Sequence, residues 1–309
     1  MKVLRIAMNG EEHPHYTIQE AFNNAFDEVK TIWWEQESDF NNRIIQEVTA
    51  NRYDAVFMQI QGDGFLSHAA ADAISKNSLG FNWTGDVRSD IDWYAGMGKY
   101  FVTLFTNMTD VEKMRNLGYK SDYLQVGYDH KYYFQKSQQS YNNIVFCANH
   151  YNDVYPLSRF RKEIVIALKI EFGDKFNLYG GNWENCDLRS ECKANNEQEA
   201  EIYRTCAIAI NCSHFDYSRY SSDRLFREMS SGAFVLSHRY KDIEMDFKEG
   251  LHLAAFDSIP ELISKCHYYL NNHEERIVIA NNGLRLVTST AQWSNRMDEF
   301  KDIINKYKI

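Results

Sequence analysis

Short apolar runs alternate with segments of helical apolar spacing along the whole chain. The runs are compact and bounded by turn residues, which predicts strands at residues 3–7, 31–34, 55–59, 79–83, 100–106, 123–126, 144–147, 176–179, 207–210 and 233–236. Apolar residues three and four positions apart predict helices at residues 18–29, 41–50, 67–76, 111–117, 158–172, 197–205, 222–231 and from Ser258 onward. This alternation is typical of parallel sheets covered by helices. We therefore predict an α/β fold with two Rossmann-like domains.

A polar stretch separates the two halves of the chain. Residues 136–143, KSQQSYNN, are poor in apolar side chains and typical of a linker. A length of 309 residues also exceeds what one hydrophobic core usually organises. We expect a first domain at residues 1–137 and a second at residues 138–309, with the last helix crossing back to the first. Two such domains face each other across a cleft, where nucleotides usually bind.

Residues 206–237 predict a strand, a polar loop, a short helix and a second strand. Ser221 or Ser222 is expected to cap the amino end of the helix, and Gly232 to adopt the left-handed conformation after its carboxyl end. The first turns carry Arg224 and Arg227, although the dipole of a helix favours negative charge at that end. Backbone N–H groups, hydroxyls and two guanidinium groups together suit a phosphate or diphosphate.

A different explanation of the same helix is an ordinary ion pair. Arg224 and Glu228 are four residues apart and would meet on one solvated face. The two explanations differ in where the guanidinium of Arg224 points, which the sequence leaves open.

Charge and cysteine content limit the classes of partner. Net charge is −9, and residues 1–135 hold 12 Lys and Arg against 19 Asp and Glu, which makes nucleic acid a less favoured partner for the first half without excluding it. The six cysteines lack paired metal-ligand spacing and suit free thiols in a reducing compartment. No window approaches the roughly 18 apolar residues of a membrane span. We expect a cytoplasmic protein, in the host cytoplasm if a phage encodes it, of open oligomeric state.

Several motifs in the second half resemble a known family. They are VFCAN at residues 145–149, LYGGNW at 178–183, RLF at 224–226 with SGAFVL at 231–236, and IANNG at 279–283. LQVGYD at residues 124–129 extends the likeness into the first half. The chain resembles the GT-B fold glycosyltransferases, with a carboxy-terminal domain similar to those of the CgeB-like proteins and of glycosyltransferase family 1 or 4.

The resemblance implies transfer of a hexose or pentose from a nucleotide-sugar donor to an acceptor hydroxyl. It implies a UDP-sugar held mainly by the second domain, an acceptor held mainly by the first, no cofactor and no obligatory metal. The acceptor stays open: a polysaccharide, a protein, a small molecule or hydroxymethylated phage DNA. The alternative is a catalytically inactive GT-B-like module that binds a nucleotide or a sugar.

One position departs from the family pattern. The family commonly has a glutamate directly after the phenylalanine of its Arg-x-Phe motif, where this chain has Arg227. In relatives that acid holds the ribose of the donor. Glu228 takes the role only if the helix is re-registered, because one residue rotates a side chain by about 100° on a helix. Asp223 is another substitute, and Arg227 could instead strengthen binding of the diphosphate.

The candidates for donor binding follow the strands of the second domain or lie on its short helix. They are Asn149, Arg159, Tyr179, Gly180, Trp183, Ser213, Ser222, Asp223, Arg224 and Arg227. Arg161 is an alternative to Arg159 as a second cation. The aromatic side chains of Tyr179 and Trp183 suit a hydrophobic core at least as well as a ligand contact.

The candidates for catalysis, besides Glu228, follow strands of the first domain. His13 and His15 lie in a loop with Glu11 and Glu12, and a histidine near neutral pKa suits a general base. Asp86 is the other candidate base, with a helix cap as its structural alternative. If the configuration at the anomeric carbon is retained, no protein base is required.

Overall fold

The computed structural model describes residues 1–7, 17–34, 38–62, 64–87, 91–136 and 141–308. The chain divides into two compact units, residues 1–129 with 293–309, and residues 130–292. The boundary predicted after residue 137 lies later in the chain than this division, in which the described residues 130–136 belong to the second unit. The final helix belongs to the first unit, in line with the predicted crossing.

The first unit contains a parallel sheet of six strands in the order β2-β1-β3-β4-β5-β6. The strands are β1 Lys2–Ala7, β2 Glu28–Trp33, β3 Ala55–Met58, β4 Leu79–Thr84, β5 Val102–Phe105 and β6 Ser121–Tyr123. The helices between them are α1 Thr17–Ala25, α2 Phe40–Ala50, α3 His68–Asn77, α4 Asp92–Met97 and α5 Met108–Asn116. Strands such as β3 and β5 are buried along their whole length, as expected when helices cover both faces.

The second unit contains a parallel sheet of five strands in the order β11-β10-β9-β7-β8. The strands are β7 Ile144–Cys147, β8 Phe176–Tyr179, β9 Ile208–Asn211, β10 Val235–His238 and β11 Ala254–Phe256. The helices are α6 Ser158–Phe172, α7 Asn196–Arg204, α8 Asp223–Ser230, α9 Ile259–Asn271 and α10 His273–Thr290. The predicted α/β class with two Rossmann-like units is therefore confirmed.

The last helix, α11 Trp293–Tyr307, completes the core of the first unit. The ring of Phe300 lies 5.0 Å from that of Phe57 on β3 and 5.1 Å from that of Phe81 on β4. Trp293 packs against Gly127, where an added Cβ would lie 2.7 Å from the indole ring. The helix is thus fixed to the face of the sheet by aromatic packing.

The predicted elements differ from the structure at a few places. The helix predicted at residues 18–29 ends at Ala25, since the chain there enters β2. The strand predicted at residues 123–126 lies earlier, in β6. Neither α4 nor β11 was predicted. The first has no side-chain cap at Ile91, and the second is only three residues long, so each lacks a clear local signal.

The loops after β7 and β8 are hydrogen-bonded to each other. The amide of Ala148 donates to the carbonyl of Tyr179 at 2.8 Å, and the amide of His150 to that of Gly181 at 3.0 Å. The amide of Gly181 donates to Asn149 Oδ1 at 2.8 Å. These bonds extend the pairing of the two strands beyond their ends and hold both loops at the carboxyl edge of the sheet.

Gly180 is required by the close approach of these loops. Its φ is +122°, and an added Cβ would lie 2.0 Å from the carbonyl oxygen of Ala148. No real Cβ tolerates that distance, so a side chain at this position would separate the two loops.

We expect Gly180→Ala to lower the free energy of unfolding by roughly 2–4 kcal/mol, because it adds both a backbone clash and an unfavourable φ. Gly181→Ala is the matched control, since its Cβ would meet only Asn149 Oδ1, at 3.7 Å. Urea unfolding of both variants measures the difference. Equal stability of the two variants would contradict this packing.

Candidate functional site

The carboxyl edge of the second unit's sheet gathers charged side chains at its centre. Strands β7 and β9 are neighbours and end at Cys147 and Asn211. Helix α8 begins shortly after β9, with Ser222 in the N-cap position. Ligands of parallel sheets bind beyond the carboxyl ends of the strands, which makes this edge the candidate site.

Helix α8 begins and ends where the sequence predicted. Gly232 has φ +86°, its amide donates to the carbonyl of Met229, and the amide of Ala233 donates to that of Glu228. These two bonds form a Schellman motif, which terminates the helix. At the other end Ser222 has the extended backbone of an N-cap, but its side chain makes no capping bond.

Arg224 points inward and binds the ends of two strands. Its Nη1 donates to the carbonyl of Cys147 at 2.9 Å, and its Nη2 to that of Cys212 at 3.1 Å. The side chain is 13% exposed. This placement excludes the solvated i,i+4 ion pair and agrees with a guanidinium directed towards the strand ends.

Arg161 is the second buried cation. Its guanidinium donates to the carbonyls of Cys212 and Asn149 and packs over the ring of Phe146. Burial, and then the neighbouring charge of Arg224, lower the pKa of Arg161 to about 9, so it is still charged at pH 7. Two buried guanidinium groups therefore share one carbonyl oxygen.

Arg159, predicted as the second cation, lies elsewhere. Its side chain is 85% exposed and pairs with Glu163 on the same helix. Two residues rotate a side chain by about 200° on a helix, so Arg159 and Arg161 face nearly opposite directions. The alternative named from the sequence, Arg161, is the one at the site.

Glu228 lies behind Arg224 and is fully buried. Its Oε2 accepts a hydrogen bond from Asn211 Nδ2 at 2.9 Å, and its Oε1 is 3.9 Å from Arg224 Nε. Burial raises the pKa of Glu228 to about 8, against the opposing effects of Arg224 and Asn211. The carboxyl faces Asn211 and Arg224 and has no exposed surface, so the catalytic and ribose-binding roles predicted for it are not favoured. Glu228 instead acts as a positioning residue for Arg224.

Several buried polar atoms at this edge have no hydrogen-bond partner among the described residues. They are Ser222 Oγ, Arg224 Nε, Glu228 Oε1, His150 Nε2 and His214 Nδ1. Burial, followed by the charges of Arg161 and Arg224, lowers the pKa of His214 to about 2 and keeps it neutral. Buried polar groups in native proteins are nearly always satisfied, so a cluster of unsatisfied ones indicates a site for a polar ligand.

Arg227 belongs to a different cluster. Its Nη1 lies 3.1 Å from Glu199 Oε2, and its Nη2 2.5 Å from Asp223 Oδ2. The guanidinium also stacks on Tyr133, whose hydroxyl donates to Glu199 at 2.6 Å. Two carboxylates already satisfy Arg227, so this geometry does not favour the predicted contacts of Arg227 with the diphosphate and of Asp223 with the ribose.

The remaining donor candidates divide into loop and core positions. Asn149 and Gly180 hold the loops after β7 and β8 together. Trp183 is fully buried and donates from Nε1 to the carbonyl of Ala148, so it belongs to the hydrophobic core. Tyr179 is half-buried at the end of β8, and Ser213 is buried directly after Cys212.

The first unit places one catalytic candidate at its carboxyl edge. Asp86 follows β4 and is exposed. His13 and His15 lie outside the described residues. The segment that carries them leads into α1, where Asp129 Oδ1 accepts hydrogen bonds from the amide and the hydroxyl of Thr17, at 2.8 and 2.7 Å. Asp129 thus fixes the start of α1.

No three histidine, cysteine or acidic side chains come together as a metal site within the described ranges. In the same part of the chain, no helix is long and apolar enough to cross a membrane.

The Arg227 cluster yields a test of stability. We expect Arg227→Met to lower the free energy of unfolding by about 3 kcal/mol, because it leaves the carboxylates of Glu199 and Asp223 without their counter-ion. The double variant Arg227→Met/Glu199→Gln should recover part of this loss. Urea unfolding measures both, and a double variant less stable than the sum of the single changes would contradict the pairing.

The proton on Glu228 yields a test against pH. The folded protein holds this proton up to about pH 8, whereas an unperturbed glutamate releases it near pH 4.5. The contribution of this group to stability is therefore present below pH 4.5 and is lost as pH rises through 8. We expect the stability of the protein relative to Glu228→Gln to fall by on the order of a few kcal/mol between pH 5 and 8.5. Glu163→Gln, on the surface, is the control; a pH-independent difference for Glu228→Gln would refute the raised pKa.

Residues 160–302 match the family model described as glycosyl transferase-like. No curated protein sequence matches the chain. The matched region contains α8, strands β8 to β11 and both buried arginines, Arg161 and Arg224, while β7 precedes it.

Solved glycosyltransferase structures share the fold over nearly the whole chain. HepE from Anabaena in complex with UDP has a TM-score of 0.70 at 9% identity, covering 99% of this chain and 100% of that one. Sucrose-phosphate synthase from Thermosynechococcus elongatus has a TM-score of 0.66 at 9% identity, covering 99% and 98%. A glycosyltransferase from Rickettsia africae has a TM-score of 0.64 at 10% identity, with the same coverage. The chain therefore has the GT-B fold, and its residues 160–302 match the glycosyl transferase-like family model.

Proposed function

We propose that the protein transfers a sugar from a UDP-sugar to an acceptor hydroxyl, with the donor diphosphate bound at the start of α8. The observation that carries this proposal is the guanidinium of Arg224. It is buried at the ends of β7 and β9, while Arg224 Nε and the nearby Ser222 Oγ lack hydrogen-bond partners among the described residues. Two buried arginines against one largely protonated carboxyl leave a positive site at pH 7.

The choice of UDP draws on a structural relative. HepE has been solved with UDP and with UDP-glucose, and it shares the fold of this chain over its full length. A diphosphate suits the site because guanidinium groups bind phosphate oxygens at two points, and because the amino end of a helix favours negative charge.

The chemistry needs the leaving diphosphate to be stabilised as the glycosidic bond breaks. Arg224, Arg161 and the backbone amides at the start of α8 would supply that stabilisation. Their charges act in a dehydrated setting, where they are stronger than in water and already oriented. Glu228 and Asn211 contribute by holding Arg224 in place. With these cations present, no metal ion is needed to neutralise the diphosphate.

Activation of the acceptor would fall to the first unit. Asp86, and His13 or His15, are the candidate bases that accept the proton of the attacking hydroxyl in an inverting reaction. A retaining reaction needs none of them. The acceptor is a polysaccharide, a protein, a small molecule or hydroxymethylated phage DNA.

A binding module without transfer activity is the second candidate function. The observation that favours it is Arg227, which stands at the position of the family's ribose-binding acid and is committed to Glu199 and Asp223. A module of this kind would bind UDP-sugars at the same edge of the sheet and would not break the glycosidic bond.

A test begins with the release of UDP from a panel of UDP-sugars. In buffer containing EDTA, we expect slow hydrolysis of at least one of them, because water can replace the acceptor. Binding without release of UDP would favour the inactive module. Activity that appears only after magnesium or manganese is added would refute the metal-independent part of the proposal.

The role of Arg224 is tested by affinity. We expect Arg224→Gln to weaken the binding of UDP by at least tenfold, measured by isothermal titration calorimetry, because a charge-assisted hydrogen bond to phosphate is lost. Arg285→Gln, an exposed change on α10, is the matched control and should bind UDP normally. Unchanged affinity in Arg224→Gln would refute the proposed donor site.

A further inference from the structure

A cavity lies at the amino edge of the sheet in the second unit. It has a volume of about 530 Å³. Its wall includes Asn142 and Lys175, which lie within two residues of the starts of β7 and β8, and Arg276 near the start of α10. All strands of a parallel sheet begin at one edge and end at the other, so this cavity lies across the sheet from the start of α8. The proposed donor site does not explain it.

Arg276 places a positive charge in the cavity wall. The residue is 5% exposed. Its Nη1 donates to the carbonyl of Tyr269 at 2.8 Å, and its Nη2 lies 3.3 Å from that of Tyr141 and 2.9 Å from His273 Nδ1. None of these partners carries a negative charge, and within the described ranges no carboxylate pairs with Arg276.

An uncompensated guanidinium at this depth is unusual. Carbonyl groups satisfy hydrogen bonds of the guanidinium, but they do not neutralise it, and a buried charge is costly unless an opposite charge accompanies it. Burial accordingly lowers the pKa of Arg276. An anion in the cavity would supply the missing charge.

Other side chains of the wall strengthen the positive potential. Lys175 is exposed at the rim. His273 faces Arg276 through Nδ1, which must accept the hydrogen bond, so its Nε2 is left as a donor. The one acidic residue of the wall, Glu171, is engaged by His267 at 2.7 Å. Two permanent cations thus border the cavity, against one carboxylate that is hydrogen-bonded to His267.

The rest of the wall combines polar and apolar side chains, with Asn142, Asn271 and His267 among the polar ones. Tyr141, Phe172 and Leu270 present ring and aliphatic surface next to the charged groups. A wall of this kind suits the body of a small organic molecule, since ligand sites combine apolar surface with a few charged groups. The volume also exceeds what a lone inorganic anion would fill.

We propose that this cavity binds a phosphomonoester with a ring-shaped body. A phosphate group offers three oxygens that can accept hydrogen bonds from Arg276 and Lys175 at the same time, whereas a carboxylate offers two. The fork of Arg276 and the flexible ammonium group of Lys175 both suit phosphate oxygens. Because the cavity is distinct from the α8 site, the proposal does not depend on the transfer reaction.

Calorimetric titration with glucose 6-phosphate tests the proposal, with glucose and inorganic phosphate as comparison probes. We expect saturable binding of glucose 6-phosphate, weaker binding of inorganic phosphate and none of glucose. Lys175→Glu should weaken the binding of glucose 6-phosphate by at least tenfold, and Arg276→Gln should abolish it. Lys248→Glu, an exposed charge reversal outside the cavity, should change it less than twofold, and Arg224→Gln should leave it intact.

Equal affinity in the protein and in Lys175→Glu would overturn the proposal, as would the absence of saturable binding at millimolar concentration. Loss of glucose 6-phosphate binding in Arg224→Gln would show that the probe binds at the α8 site, which would also overturn the proposal. If inorganic phosphate bound as tightly as glucose 6-phosphate, the claim that the cavity also binds a ring-shaped body would be refuted. If Arg276→Gln fails to fold, Lys175→Glu decides the test, because Lys175 is exposed.

Discussion

The anchoring of the Arg224 guanidinium between two strand ends is the interaction on which the account depends. The carbonyls of Cys147 and Cys212 orient the side chain, and Glu228 lies behind it with no exposed surface. A cation fixed in this way does not have to reorganise when negative charge develops on a ligand, which is how preorganised sites stabilise a leaving group. The Schellman end of α8 at Gly232 and the close contact at Gly180 both preserve this arrangement, because they fix the elements from which it is built.

The most unusual feature of the chain follows from the same helix. Arg227 stands where the resemblance to the family leads us to expect an acid, and it pairs with the carboxylates of Glu199 and Asp223. Tyr133, in the segment that opens the second unit, packs on this cluster. Arg227 therefore fastens α8 to α7, and Arg224 and Arg161 are the cations that the proposed diphosphate site uses. The second unit therefore holds uncompensated positive charge at both edges of its sheet, with Arg276 at the other.

The sequence determines much of this fold and less of the site. The predicted bounds of helix α6 and strand β8 agree with the structure to the residue. The 15 residues of α6 show clear helical spacing of apolar positions, and β8 is a compact run bounded by turn residues. Gly232 correctly predicted the end of α8. The choice between Arg159 and Arg161 could not be made, because it depends on which face of α6 meets the sheet. The sequence could not predict the burial of Glu228 either. Its spacing from Arg224 is that of a solvated ion pair, and water is excluded only by elements that are distant in sequence, such as β9 with Asn211. His13 and His15 lie outside the described residues, so their predicted role is still a prediction.

A crystal structure of the protein grown with UDP is the most direct measurement of the central claim. We expect the diphosphate to lie within hydrogen-bond distance of the Arg224 guanidinium or of the backbone amides at the start of α8, with Ser222 Oγ hydrogen-bonded to the ligand. A diphosphate bound elsewhere, with Arg224 and the start of α8 untouched, would contradict it.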